Sequence, residues 1–196
     1  MISKFYPHPP YAEDQPYPHL ILSTHILHRS FQAGAALGAA TGLTRSALLA
    51  FRPPTPSSTT FYAKHLVPPN SSPAALFLRS TGSGAALGLV ATSLMLPVYF
   101  ARWELVEWQD RSWRLLENKG QVEVDDWGVL GAGAGLLGTL VVERRELGRR
   151  GAPDVRLGAV VGALGWRGAL AGAGLGGVSG VLGYLGWRYG VMGGHQ

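Results

Sequence analysis

The chain of 196 residues contains no cysteine. This absence excludes a structural disulfide, a zinc site built on thiolates and a thiol nucleophile, although it leaves the redox compartment open. The sequence also lacks an HExxH metalloprotease motif, a phosphate-binding P-loop and a GxSxG nucleophile elbow. No catalytic arrangement is visible in it. We therefore expect no active site, no cofactor and no metal.

Concentrated positive charge is also missing, although the net charge is +5. Lysine and arginine are scattered along the chain, whereas nucleic-acid-binding domains gather them in one patch or motif. The basic loops of a membrane protein account for the same charge, so we expect no nucleic acid partner. His19, His25 and His28 lie close together in sequence, but no cysteine or carboxylate follows at ligand spacing. They are predicted to be ordinary surface histidines.

Glycine, by contrast, is abundant, with 28 residues, and much of it recurs at every fourth position. This spacing is close to one helical turn, so the glycines line up as a groove on one side of a helix. Such grooves let membrane helices approach closely, whereas each glycine weakens a soluble helix by roughly 1 kcal/mol relative to alanine. The helix-packing positions predicted in this way are Gly34, Gly38, Gly42, Gly84, Gly88, Gly131, Gly135, Gly168, Gly172, Gly176 and Gly180.

Two stretches match the dinucleotide-binding fingerprint by letter, namely Gly133-Gly135-Gly138 and Gly172-Gly174-Gly177. The fingerprint functions only where it follows a strand in a βαβ unit, and neither stretch does. Helix packing explains these glycines better, so we expect no bound nucleotide.

The apolar segments predict an all-α membrane protein in which four glycine-ridged transmembrane helices form a tilted bundle with extended loops. Residues 1–30 form a segment rich in proline, histidine and tyrosine, residues 31–190 the membrane domain, and residues 191–196 a tail. The third segment is short for a hydrocarbon core of ~30 Å. A loop from Arg52 to Thr81 should be extended because it holds six prolines. The predicted spans are 31–51, 82–101, 127–142 and 164–187.

A few residues are predicted to contact lipid or a partner. Arg45 lies inside the first span, where it either snorkels to the interface or pairs with a lipid head group or a buried carboxylate, whereas Arg167 lies at the start of the fourth, where snorkelling is favoured. The loop between the second and third spans carries Trp103, Trp108 and Trp113, and part of it should be a helix lying along the membrane surface.

The third span opens on the acidic-aromatic motif Asp125-Asp126-Trp127, followed by Gly131 and Gly135. With four glycine-ridged spans, this resembles the four-helix Tim family of the mitochondrial inner membrane. That family includes subunits of the protein-import translocases and an accessory subunit of respiratory complex I (NADH:ubiquinone oxidoreductase). The motif is most similar to the complex I member. The resemblance covers about residues 30–190, within which the proline-rich and tryptophan-rich loops are expansions of the minimal family core.

The resemblance implies a non-catalytic accessory subunit that stabilises the membrane arm of complex I by contacts with other membrane-arm subunits and phospholipid, with cardiolipin as one candidate. Residues 1–24 lack an arginine-rich presequence, so targeting would be internal. The first and third loops are basic, which places both termini in the intermembrane space. Two alternatives stay open, an import translocase subunit and, more distantly, a small-solute carrier.

Overall fold

A computed structural model describes residues 6–51, 72–147 and 164–193, and within these ranges the chain is helical without a strand. This confirms the all-α class. A short 3-10 turn precedes the first helix at Ala12–Asp14, and a π-helical turn follows the last at Gly186–Val191. The five main helices are α1 (Pro18–Phe51), α2 (Pro73–Phe100), α3 (Leu105–Glu117), α4 (Lys119–Leu147) and α5 (Trp166–Leu185).

The helices extend beyond the apolar segments that predicted them. Helix α1 begins at Pro18, so residues 18–30 belong to this helix and not to a separate N-terminal segment. Helix α2 begins at Pro73 because the Ser72 hydroxyl accepts the N–H of Ala75 at 3.1 Å and proline suits the first helical position. The predicted extended loop is therefore wrong from Pro73 onward, while residues 52–71 lie outside the described residues.

The central polar stretch forms α3 and the beginning of α4. Glu104 and Glu107 make a reciprocal capping box that starts α3, which satisfies N–H groups that the first turn leaves unpaired. Helix α4 extends beyond the predicted span 127–142 at both ends. The fourth predicted span, 164–187, lies within the described residues, and α5 begins at Trp166 and ends at Leu185.

The glycine grooves lie at the contacts between helices. In the α1–α2 pair, a Cβ atom added at Gly34 would overlap the carbonyl oxygen of Gly84, and one at Gly38 would overlap that of Ser80. Gly42 lies against Phe77, and Gly88 lies against Gly34. The two backbones thus approach too closely for any larger residue, as expected of helix pairs built on small residues.

Helices α4 and α5 form a second pair of the same kind. Added Cβ atoms at Gly131 and Gly135 would overlap the carbonyl oxygens of Gly176 and Gly172, respectively. Gly180 continues the contact against the backbone of Trp127. Helix α5 also joins the two pairs through Gly174, whose added Cβ would press on Ala35 of α1.

Two helices are long and apolar enough to cross a membrane, judged by length and composition alone. They are α2 (Pro73–Phe100, mean hydropathy 1.5) and α5 with its π-helical turn (Trp166–Val191, mean hydropathy 1.3). Among the described residues, α1 and α4 do not meet the same criterion. Each of these two helices is polar over part of its length, which lowers its mean hydropathy. A four-span bundle is thus not established by hydropathy.

Replacing Gly176 with alanine tests whether close backbone contact stabilises the fold. The added methyl group would overlap the Gly131 carbonyl, so G176A should lower the free energy of unfolding by about 1–3 kcal/mol. Gly183, on the same helix, has nothing within 4 Å of an added Cβ, so G183A should be neutral or stabilising by up to about 1 kcal/mol. Thermal unfolding in mild detergent, followed by circular dichroism, measures both. Equal effects of the two substitutions would contradict the packing argument.

Candidate functional site

One end of the bundle carries a set of mutually paired polar side chains from three helices. They come from the N-terminal half of α1, the beginning of α4 and the end of α5 with its π-helical turn. We call this set the polar layer; it comprises His25, Arg29, Glu123, Asp125, Tyr184 and Arg188.

Asp125 of α4 is the centre of the first half of the polar layer. Its Oδ2 atom lies 2.5 Å from His25 Nδ1, and its Oδ1 atom lies 2.8 Å from Arg29 Nε. The Asp125 side chain is 23% exposed and the His25 side chain 17% exposed. Two cationic or proton-donating groups of α1 thus share one partly buried carboxylate of α4, an arrangement that fixes the two helices relative to each other.

Glu123 of the same helix is the centre of the second half. It accepts hydrogen bonds from the Tyr184 hydroxyl of α5 and, at 2.8 Å, from the Arg188 guanidinium in the π-helical turn. Arg188 also donates to the Tyr184 hydroxyl. The Tyr184 ring stacks on Trp127 with ring centroids 6.4 Å apart. The two carboxylates of α4 therefore join this helix to α1 on one side and to α5 on the other.

His28 lies about one helical turn after His25 on α1, and burial is the main influence on its pKa. Its Nε2 atom lies 3.0 Å from the Gln32 side-chain amide. Burial lowers the pKa of His28 below its usual value; nearby Asp125 opposes this shift, while Arg29 and His25 add to it. His28 is thus held toward the neutral form in the interior, where a charge would be costly.

A cleft of about 290 Å³ opens between α1, α3 and α4 beside the polar layer. Ile21 and Leu115 line its apolar side, and His25 and Asp125 line its polar side. The neighbouring Thr24 hydroxyl donates to the Leu20 carbonyl at 2.7 Å, so it is committed to its own helix. The paired histidine and aspartate on the polar side of this cleft join α1 to α4.

The described histidines do not converge on a metal site. Within the described parts of the chain, no three histidine, aspartate or glutamate side chains lie close enough to hold an ion. His19 packs on Trp108 with ring centroids 4.5 Å apart, whereas His25 faces Asp125. Sequence reasoning predicted these histidines as surface residues; His25 and His28 instead lie in contacts between helices.

The tryptophans of the central region pack against this same chain. Trp108 is only 7% exposed and contacts Trp103, so it is not available to lipid. Trp113 donates its indole N–H to the Pro9 carbonyl at 2.9 Å and stacks on His8. These contacts attach the N-terminal residues to α3. The predicted lipid or partner role of Trp108 is therefore replaced by packing within the molecule.

The two predicted arginines lie at the opposite end of the bundle from the polar layer. Arg45 of α1 donates to the Ser80 hydroxyl at 3.1 Å. Arg167 of α5 donates to the Ser83 hydroxyl at 3.2 Å, and its guanidinium lies 4.5 Å from the ring centre of Trp166. The structure thus brings both arginines onto α2, a pairing that their sequence positions did not indicate.

The model of the DUF1757 family, described as a protein of unknown function, matches residues 11–180. The chain belongs to the DUF1757 family. No curated protein matches it. No solved structure matches it either. The DUF1757 match includes His25, Arg29, Glu123 and Asp125 and ends before Tyr184, so the α1–α4 half of the polar layer lies wholly within the family region.

The glycines that spell the dinucleotide fingerprint lie in helices of this DUF1757 protein. Added Cβ atoms at Gly133 and Gly138 would meet nothing within 4 Å, whereas one at Gly135 would overlap α5. All three belong to α4, which does not follow a strand in the described chain. Gly172, Gly174 and Gly177 of the second stretch are buried within α5, as is the predicted packing residue Gly168. Their spacing therefore reflects helix faces and not a phosphate-binding turn.

Sequence reasoning noticed Asp125 as part of a motif but did not identify its partners. The charge of the loops predicts that the beginning of α1, the beginning of α4 and the end of α5 lie on the same side of the membrane. This topology, together with the histidines and carboxylates at these helix ends, is the signal from which a polar contact between the helices could be predicted. The specific pairs depend on helix rotation, which the sequence does not display.

Replacing Asp125 with asparagine tests the polar layer. D125N keeps the shape but removes the charge shared by His25 and Arg29, so the free energy of unfolding should fall by about 2 kcal/mol. D110N is the matched control, because Asp110 makes an exposed pair with Arg114 on α3, and it should cost less than about 0.5 kcal/mol. Chemical unfolding in detergent compares the two. If D125N costs no more than D110N, Asp125 does not join α1 to α4.

Proposed function

We propose that this DUF1757 chain is a non-catalytic accessory subunit of mitochondrial respiratory complex I, located in the inner membrane. The observation that carries the proposal is the role of the Asp125-Asp126-Trp127 motif. This motif supplied the resemblance to the complex I member of the Tim family, and it is also the point at which α1, α4 and α5 meet. Asp125 pairs with α1, and Trp127 contacts α5 through Gly180 and Tyr184.

Exposed apolar surface supports a membrane location. Only 6% of the apolar window of α2 is buried within the chain, although its mean hydropathy is 1.5. Large side chains such as Leu87, Leu94 and Val98 are 66–70% exposed. A helix in the core of a soluble domain would bury these residues, whereas a bilayer or neighbouring membrane subunits cover them without cost.

The proposal places all four long helices across the membrane. Helices α1 and α4 pair along their glycine grooves with α2 and α5, the two helices that satisfy the hydropathy criterion. If α2 and α5 cross the membrane, the helices that pair with them along their glycine grooves must lie at the same depth in it. The polar layer then lies toward the intermembrane space with both chain termini, and the Arg45 end lies toward the matrix.

The function of such a subunit is to hold neighbours together. Glycine contacts set the shape of the bundle, and the polar layer fixes its intermembrane-space end. The exposed faces of α2 and α5 would then pack against other membrane-arm subunits and phospholipid. Loss of the chain would weaken assembly of the membrane arm, and proton pumping would fall only as a consequence.

Native gel separation of mitochondrial membranes in mild detergent tests the assignment. We expect the chain to migrate with NADH dehydrogenase activity in the band of assembled complex I, identified by mass spectrometry. Migration with protein-import components would instead favour the translocase alternative. Recovery of the chain alone would contradict both.

A packing variant extends the same experiment. The double substitution G172L/G176L places leucine where α5 touches α4, so incorporation into the large complex should fall at least several-fold. The matched control is G133L/G138L, because these α4 glycines face open space within the chain. Normal incorporation of G172L/G176L would show that assembly does not depend on the glycine contacts.

A further inference from the structure

The cleft beside the polar layer lies next to the one place where α1 and α4 touch through His28. A Cβ atom added at Gly128 of α4 would overlap the side chains of Gln32 and His28 of α1, so the two helices are in close contact there. Toward the beginning of α4, a space of about 290 Å³ lies between these helices and α3. The contact at Gly128 therefore closes one end of this space.

The residues around the space follow helical spacing on both sides. Helix α1 contributes positions 21, 24, 25 and 28, and α4 contributes positions 122, 125, 126 and 129, so each helix presents a single face. Ile21 is only 2% exposed, so the space reaches the interior of the chain. We call it the α1–α4 cleft, and its apolar lining consists of Ile21, Leu115, Leu116, Val122 and Val129.

His28 brings a hydrogen-bond donor to this apolar lining. Its Nε2 atom lies 3.0 Å from the side-chain nitrogen of Gln32, and an amide nitrogen can only donate, so Nε2 accepts. Burial favours the neutral imidazole, which then carries its proton on Nδ1. Within the described parts of the chain, no residue accepts a hydrogen bond from this Nδ1–H group. The cleft thus contains a donor that the chain itself does not use.

Other polar groups around the cleft are engaged elsewhere. The Thr24 hydroxyl donates to a carbonyl of its own helix, and the Tyr6 hydroxyl lies 3.4 Å from the Thr24 oxygen. His25 is joined through Nδ1 to Asp125, and Asp126 is not without a partner. A charged ligand would leave water for a largely hydrocarbon space whose ion pair is already closed, which is costly. An uncharged ligand with a hydrogen-bond acceptor avoids this cost.

We propose that the α1–α4 cleft binds an uncharged apolar molecule through one carbonyl oxygen, which accepts the Nδ1–H of His28. The apolar lining would cover the hydrocarbon part of the molecule, and the single donor would fix its orientation, as in small-molecule sites generally. Small-molecule sites occupy about 300–1,000 Å³, so a cleft of about 290 Å³ suits a molecule of about two rings. This inference goes beyond the proposed function and does not depend on it.

A matched pair of probes tests the site. 2-Acetylnaphthalene carries a carbonyl oxygen, whereas 2-isopropenylnaphthalene has the same shape with a CH₂ group in place of that oxygen. Equilibrium dialysis of the purified full-length chain, with the same detergent concentration on both sides, measures the binding of each probe and cancels its partition into micelles. We expect the ketone to bind about 3–10-fold more tightly than the alkene, which corresponds to one neutral hydrogen bond.

Two variants locate the binding. H28F keeps a ring but removes the N–H donor, so the preference for the ketone should fall to about onefold. V122F enlarges a side chain of the lining, so it should weaken the binding of both probes by at least about tenfold. The matched control is H19F, because His19 lies on the same helix but packs on Trp108 outside the cleft. H19F should retain the wild-type preference.

The outcomes decide the proposal in either direction. Equal binding of the two probes to the wild-type chain, a ketone preference that persists in H28F, or unweakened binding in V122F would each overturn it. Circular dichroism establishes that each variant is folded. If H28F does not fold, the comparison of the two probes on the wild-type chain and on V122F still decides. Because dialysis needs neither complex I nor a bilayer, its failure is distinguishable from failure in the native gel.

Discussion

Backbone contact at glycine is the interaction on which the remaining structure depends. Where Gly34 meets Gly84, and Gly131 meets Gly176, no side chain lies between the helices. Dispersion contacts between two backbones fall off steeply with separation, so these contacts hold only at a single depth and rotation of each pair. That fixed register, together with the contact of Gly174 with Ala35 that joins the two pairs, brings Asp125 to His25 at one end and Arg167 to Ser83 at the other. The polar contacts are thus consequences of the glycine contacts, which they then reinforce.

The two ends of the bundle differ in the side chains with which their arginines interact. At one end, the α4 carboxylates Asp125 and Glu123 pair with Arg29 of α1 and with Arg188 of the π-helical turn. The other end has arginines held by hydroxyl groups. A charged hydrogen bond between helices fixes their relative position more firmly than a neutral one. The ion pairs of the first end therefore hold α1, α4 and α5 rigidly together.

Features that depend on local residue spacing can be predicted from the sequence, whereas helix ends and contacts between distant helices cannot. The period of four predicted which glycines face a neighbour, because helix geometry alone fixes the faces. Helix ends were harder, since hydropathy follows apolar content and α1 continues through polar Thr24, His25 and His28. The pairing of His25 with Asp125 joins residues 100 positions apart. It depends on the rotation of two helices, and nothing in either segment alone encodes that rotation. Trp108 was similarly misjudged, because the residues that bury it come from other parts of the chain.

The length of α1 has a mechanical consequence. Its 34 residues extend about 51 Å, whereas a bilayer core occupies only ~30 Å. If the C-terminal part crosses the membrane, the remaining two fifths of the helix projects from it as a continuous rod. Helix α3 lies along this projecting rod, and the chain before Pro18 is attached to α3 through Trp113. In the proposed orientation, this part of α1 would hold the aromatic side chains of α3 at a fixed height above the membrane surface.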